Sequence, residues 1–356
     1  MRTKTRRITL GGVPIGGGAP VSVQTMTQAN PHDADALTQQ IAEAAELGCD
    51  IVRLTVPDQK AVEVFKQVHA RSPLPLVADI HFDYRLALAA IESGADGLRI
   101  NPGNIGGAAR VRAVVAAARV RNIPVRIGVN GGSLETDILA KHGAVTAEAL
   151  VESALRHVAL LEAEDYYEIK ISVKASDVSR TLAAYRLLSE QTAYPLHLGV
   201  TEAGTFIPGT VRSCVALGVL LLDGIGDTIR VSLTDTLAKE VRVGVELLRA
   251  VGLRAPGAAV TSCPTCGRTR VDVAGLAARV EERLERHYRE HPGAARPHVA
   301  VMGCMVNGPG EAQDADIAVA GGCGSFALYV RGERIKVVSE AEALEAIVGL
   351  VERWGE

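Results

Sequence analysis

LPLVADIHF at residues 74–82, an Ala/Leu-rich stretch, and GLRINPGN at residues 97–104 form one cycle of a pattern that recurs along most of the chain. A short β-branched run is followed by a turn and a segment of helical periodicity, and then the run begins again. Eight such runs fall between about Ala19 and Ala250: residues 21–27, 50–56, 74–82, 97–104, 123–130, 167–176, 194–202 and 227–234. Helical stretches such as Ala34 to Leu47, Val145 to Ala163 and Thr236 to Ala250 lie between them. Eight consecutive strand–helix units with apolar strands predict an α/β architecture, a parallel sheet closed as a TIM (β/α)8 barrel. An open doubly wound sheet is the alternative, but no G-x-G-x-x-G fingerprint follows the first strand.

Outside these cycles the rhythm differs. The leading ITLGGVPIGGG (8–18) predicts a small hairpin over the bottom of the barrel. After Leu253, RAPGA reads as a linker, and the remainder mixes CPTC, a charged helix from Val271 to Glu290, short strands, glycine turns and a closing helix from Glu340 to Trp354. The expectation is a barrel over 1–253 and a smaller α+β domain over 258–356. A length of 356 residues agrees with two domains, since single cores stop growing at roughly 250 to 300 residues.

Composition narrows the partners. With 38 basic and 41 acidic residues, net charge −3, the chain has no broad footprint for nucleic acid. Any anion it binds should be small and locally held. No apolar run is long enough to span a bilayer, and the start turns to glycines before a signal-peptide core appears, so the expected location is cytoplasmic. Six cysteines are too few for a disulfide scaffold and in a reducing compartment point to metal or catalytic use.

Alternate residues of a barrel strand face inward, and chemistry in this fold sits at the C-terminal strand ends. That rule gathers Arg53, Asp79, His81, Arg99, Asn101, Arg126, Asn130, Lys170, Ser172, Lys174, His197, Glu202, Arg230 and Ser232. The i, i+2 spacings allow up to six cations to converge. Guanidiniums match phosphate oxygens bidentately and lysine adds a compact charge, so the mixture suits a diphosphate. The alternative, cations on the outer surface or in ion pairs within the barrel, needs more acids than Asp79 and Glu202 supply.

Cys263 and Cys266 form a Cys-x-x-Cys pair, Cys304 lies in GCMVNGPGE, and Glu311 follows seven residues later. Three sulfurs and one further donor match a metal site, and spacing alone leaves zinc and an iron–sulfur cluster equally open. A thioredoxin-type pair would belong at a strand-to-helix turn of another βαβ context. Cys323 in AGGCGS rivals Glu311 as fourth ligand, while Cys49 and Cys214 read as packing residues.

Taken together, SCPTCGRT, GCMVNGPGE, LRINPGNIG, ISVKASDV, LHLGVTEAG and DGIGDTIRVSL resemble the bacterial 4-hydroxy-3-methylbut-2-enyl diphosphate synthases, from the first strand to near Gly322. The resemblance implies a 4Fe-4S cluster on Cys263, Cys266, Cys304 and Glu311. It implies two-electron reductive ring opening of 2-C-methyl-D-erythritol 2,4-cyclodiphosphate in the non-mevalonate isoprenoid pathway, with electrons from flavodoxin or ferredoxin. The diphosphate site carries over to Arg53, Arg99, Arg126, Asn130, Lys174, Arg230 and Ser232, and the acidic active-site residue to Glu202. A homodimer is also implied, with one subunit's cluster domain capping the other's barrel. Cys323 departs from the pattern, which leaves the fourth ligand open. Two rivals stand beside this reading: a lyase or aldolase with a Schiff base on Lys170 or Lys174 and a structural zinc domain, and a non-catalytic electron carrier.

Overall fold

The computed structural model describes residues 4–101, 107–255, 257–306, 310 and 313–355. It divides into two units, Met1–Arg254 and Ala255–Glu356. No described helix is long and apolar enough to cross a membrane.

The first unit opens with the hairpin β1 (Ile8–Leu10) and β2 (Val13–Ile15), paired antiparallel with Ile8 opposite Ile15. Gly11 and Gly12 both take positive φ in its turn, and a Cβ on Gly11 would lie 2.3 Å from Pro75, so the turn is closed to larger residues. Ile8, Leu10 and Ile15 bury against Ile51 and Val77 at the N-terminal ends of the barrel strands, as a plug of the bottom requires.

The barrel strands are β3 (Ser22–Met26), β4 (Ile51–Thr55), β5 (Leu76–Asp79), β6 (Gly97–Ile100), β7 (Val125–Asn130), β8 (Ile169–Lys174), β9 (His197–Leu198) and β10 (Thr228–Ile229). Their sheet runs β8-β7-β6-β5-β4-β3-β10-β9 with every neighbouring pair parallel. A parallel bridge from Ile171 to Leu196, with Ile171 N–H donating to Pro195 O at 2.9 Å, joins β8 to the β9 segment and closes the ring. The last two strands are much shorter than the runs read at 194–202 and 227–234. Beyond them the described residues continue the pairing as single bonds, such as Arg230 N–H to Leu198 O (3.0 Å), Thr201 N–H to Ala175 O (3.2 Å) and Thr234 N–H to Gly204 O (2.9 Å). At that level Gly199 contributes no side chain, and a Cβ there would sit 2.6 Å from Lys174 Nζ.

Helices α1 (Ala34–Glu46), α2 (Gln59–His69), α3 (Tyr84–Glu92), α4 (Ala108–Arg121), α5 (Thr136–His142), α6 (Ala147–Glu162), α7 (Val178–Gln191), α8 (Phe206–Leu222) and α9 (Leu237–Ala250) follow the strands. Asp33, Asp58, Asp83, Thr146 and Asp177 cap α1, α2, α3, α6 and α7 by accepting a first-turn N–H. Each such cap stabilises its helix by about 1 kcal/mol and fixes where the strand-to-helix loop ends. Outward strand residues such as Val52, Leu54, Leu98, Ile127, Ile171 and Leu198 pack on these helices as one core. The inward set is left polar, and that division creates the site.

In the second unit β11 (Val260–Ser262), β12 (Val299–Met302), β13 (Ile317–Gly321), β14 (Ser325–Val330) and β15 (Glu333–Ser339) form a sheet in that order. The first three strands are parallel and the last two pairings antiparallel. Helices α10 (Val273–Glu290) and α11 (Ala343–Glu352) bury Leu276, Val280, Leu284, Ile347 and Val351 against Val301, Val319, Phe326 and Leu328.

Candidate functional site

Strand register sets the barrel's interior. Asp79 stands opposite Arg99, Arg99 opposite Arg126, Arg126 opposite Lys170, and Asn130 opposite Lys174. Arg53, Asp79, Arg99, Arg126, Lys170, Lys174 and His197 are all buried. Arg99 Nη1 donates to Asp79 Oδ1 at 3.1 Å, and Arg53 Nε lies 3.5 Å from Asp79 Oδ2. Burial pushes the Asp79 carboxyl up, but Arg53, His81 and Arg99 together outweigh it and hold the group far below the usual carboxylate range. Arg53 also donates to Met26 Sδ at 2.9 Å, so its head is fixed from two sides. Arg126 meets no carboxylate; its Nη1 donates to Ser172 Oγ at 2.7 Å and its Nε has no partner among the described residues. Burial first, then Arg126 and the other guanidiniums, drive Lys174 well below its ordinary range.

Arg230 and Ser232 lie just past β10 and are half-buried, as is Asn130 at the end of β7. Glu202 follows β9 and is exposed, with its backbone at φ 52°, a left-handed conformation that is strained for a side-chain-bearing residue. His197 is fully buried: its Nδ1 is 2.7 Å from Thr228 Oγ1, and Tyr185 OH donates to its carbonyl at 2.6 Å. The inward cations thus converge, while Glu202 stands at the solvent side of the mouth.

The cysteines gather at one edge of the second sheet. Ser262 and Val301 are partners in parallel strands, so Cys263 and the Gly303–Cys304 pair emerge side by side. Cys263 N–H donates to Val301 O at 3.2 Å, and Cys263 Sγ accepts Gly303 N–H at 3.2 Å. Thr269 closes the Cys-x-x-Cys turn, its hydroxyl accepting Cys266 N–H at 3.3 Å, and Thr265 inside that turn has φ 64°. A Cβ at Gly303 would lie 2.8 Å from Thr269 Oγ1, so the turn rests directly on the residue before Cys304. Cys323, exposed, occupies the β13–β14 turn at the same edge, because β13 runs parallel to β12. A backbone N–H aimed at a sulfur, with further thiols on adjacent strand ends, fits a soft metal group with cysteine ligands. Among the described residues no three His, Cys, Asp or Glu side chains form a closed metal-ligand set, and Glu311 lies outside the described residues. Cys49 is a packing residue: its thiol donates to Ile51 O at 3.2 Å and burial pushes it up to about 12.

Residues 5–245 match the GcpE TIM-barrel domain and residues 259–353 the GcpE protein C-terminal domain. The chain belongs to the GcpE family. It is 54% identical over 353 residues, 99% of this chain and 98% of the other, to 4-hydroxy-3-methylbut-2-en-1-yl diphosphate synthase (flavodoxin) of Geobacter sulfurreducens. It is 52% identical over 352 residues, 99% of this chain and 94% of the other, to the protein of the same name from Symbiobacterium thermophilum. The solved 3-dehydroquinate dehydratase of Geobacillus kaustophilus superposes with a TM-score of 0.51 at 13% identity, covering 70% of this chain and 99% of that one, a likeness of fold alone.

Sequence reading missed one member of this GcpE barrel, Glu240 on α9. It is buried, accepts Leu233 N–H (2.9 Å) and Thr25 Oγ1–H (3.1 Å), and sits 3.3 Å from Arg230 Nη2. A signal existed: Leu237, Glu240, Val241, Gly244, Val245 and Leu248 share the buried stripe of the helix, and a carboxylate on an apolar stripe needs a partner. Asp79 and Glu240 therefore anchor three arginines between them. Asp79→Asn should lower the unfolding free energy by about 3 to 5 kcal/mol, because it strips the counter-charge from two buried guanidiniums. Urea unfolding of the two proteins measures the difference.

Proposed function

We propose that the chain catalyses the two-electron reductive ring opening and dehydroxylation of 2-C-methyl-D-erythritol 2,4-cyclodiphosphate to 4-hydroxy-3-methylbut-2-enyl diphosphate in the non-mevalonate isoprenoid pathway. The observation that carries this is full-length identity above 50% to synthases of that name. The buried cationic interior of the barrel is what a small diphosphate requires. Two electrons and one proton convert the doubly charged cyclic ester to a triply charged product and water.

An iron–sulfur cluster of the 4Fe-4S type, when bound, supplies electrons one at a time, and Cys263, Cys266, Cys304 and Glu311 would hold it. Support for the cysteines comes from the strand pairing that brings β11 and β12 to one edge. Arg53, Arg99, Arg126, Asn130, Lys174, Arg230 and Ser232 bind the diphosphate: guanidiniums set its orientation by paired hydrogen bonds, and Lys174 adds charge. Glu202, in solvent contact, delivers a proton to the hydroxyl that departs as water. The flavodoxin in the relatives' names supports flavodoxin as electron donor, with ferredoxin the alternative. The chain acts in the cytoplasm as a homodimer, a reading supported by the family resemblance.

The test is anaerobic reconstitution with iron and sulfide, then turnover of the cyclic diphosphate with reduced flavodoxin. Glu202→Gln should bind substrate normally and lose kcat by ~10²- to 10⁴-fold. Absence of product from an iron-replete protein, together with borohydride trapping of a substrate on Lys170 or Lys174, would instead establish the lyase reading.

A further inference from the structure

The barrel's charges do not balance. Arg53, Arg99, Arg126, Lys170, Lys174 and Arg230 face inward from β4, β6, β7, β8 and the residue after β10, and the carboxylates among them are Asp79 and Glu240. Both carboxylates are taken by arginines. Asp227, buried below Lys170, accepts Leu196 N–H at 2.9 Å and Thr5 Oγ1–H at 3.0 Å. Neither lysine forms an ion pair among the described residues, and Lys170 Nζ has no hydrogen-bond partner there. Around Lys170 stand Arg126 on β7, Gln24 on β3 and His197 on β9, with the Asp227 carboxylate partly offsetting Arg126 and, more weakly, Arg53 on β4 adding to it. Among the described residues Gln24 directs neither amide atom to a partner, and His197 Nε2 has none. Around Lys174 stand Arg126, Arg230, Arg53 and Arg99. These are cations facing cations, enclosed by strands.

A guanidinium does not surrender its proton near neutral pH, so relief from this crowding falls on the amines and the imidazole. We propose that Lys170 and Lys174 are uncharged in the empty barrel and take up protons as the cyclic diphosphate binds. This rests on the phosphate-binding role given to the barrel above and adds a residue to it: Lys170, two inward positions below Lys174 on β8, is a positioning residue that sets the charge beside Arg126. Burial and then Arg126 bring Lys170 down to about 7, and burial with four arginines holds Lys174 well below its ordinary range. His197 is kept neutral by burial and then by Arg126. Two negative charges entering among these groups reverse the balance, because each ammonium then gains a counter-charge in a medium that screens poorly.

The substrate itself cannot account for such protons. Each phosphorus of a cyclic diphosphate diester carries one strongly acidic oxygen, ionised throughout the neutral range, so any uptake belongs to the protein. Product carries one more negative charge than substrate, and the protonated lysines meet it in place.

The experiment is calorimetric titration of the anaerobic holoenzyme with 2-C-methyl-D-erythritol 2,4-cyclodiphosphate, without reductant so that nothing turns over, in Hepes and in Tris at pH 8. The observed heat against the buffer's ionisation heat gives the protons absorbed per site. We expect an uptake of about one proton or more. Lys170→Met should still bind substrate and absorb measurably fewer, an outcome that a purely structural role for Lys170 does not produce. Binding with equal heats in both buffers overturns the proposal and leaves the function standing. No binding at all overturns the phosphate-binding reading and the proposal with it. The wild-type buffer series decides even if the variant fails to fold.

Discussion

Arg126→Met should lower kcat/KM for the cyclic diphosphate by roughly 10- to 150-fold while iron content stays as in the parent. Arg53 and Arg99 share Asp79, and Arg230 leans on Glu240, so part of each charge is already satisfied. Among the described residues Arg126 has only the Ser172 hydroxyl, at 2.7 Å, as a hydrogen-bond partner, which leaves its charge for a ligand. A charge-assisted contact of this kind contributes about 1.5 to 3 kcal/mol, and 1.4 kcal/mol is tenfold in binding. The loss should appear in KM and, because a ring phosphate leaves carbon and gains a negative charge as the ring opens, in kcat as well. Removing an unpaired buried charge should also leave the empty protein as stable as before or more so. Steady-state kinetics beside thermal unfolding separate the two effects. An unchanged kcat/KM would take Arg126 out of substrate binding.

The division between what the sequence disclosed and what it withheld follows chain geometry. A strand alternates with period two, so the even spacing of Lys170, Ser172 and Lys174 or of Arg126 and Asn130 is enough by itself to state which residues share a face. The hairpin at Ile8–Ile15 was readable for a similar reason, because two glycines in succession favour a tight turn. Glu240 was not, since its role depends on where α9 crosses the barrel, which no local period records. The lengths of β9 and β10 were overestimated because β-branched composition continues past the point where regular pairing stops. That point depends on Gly199 and on Lys174 approaching it from β8, a contact between residues far apart in sequence. For the cysteines, motif spacing named the candidates, and the pairing of Ser262 with Val301 supplies what spacing could not, a common edge.

That common edge leads to the sharpest expected loss. Cys263→Ser should abolish both cluster retention and turnover, whereas Cys323→Ser should keep a four-iron cluster and near-normal activity. Both residues lie at the same end of the sheet, but their surroundings differ. Cys263 is half-buried, packs against the hydrophobic cores on both faces, and accepts Gly303 N–H at 3.2 Å, which fixes where its sulfur points. No hydrogen bond to Cys323 Sγ is present among the described residues, and its side chain is exposed. Softness alone would still favour a fourth sulfur over the Glu311 carboxylate. The proposed function argues against it, because a carboxylate is the more easily displaced donor and would leave room for substrate. Glu311→Ala should therefore alter the cluster's spectrum and lose activity while keeping much of its iron, an intermediate result between the two serine variants. Anaerobic iron and sulfide analysis, electron paramagnetic resonance and turnover on the three proteins measure the order. Loss of the cluster from Cys323→Ser with retention in Glu311→Ala would transfer the fourth ligand to Cys323, and with it the explanation of how substrate gains access to the metal.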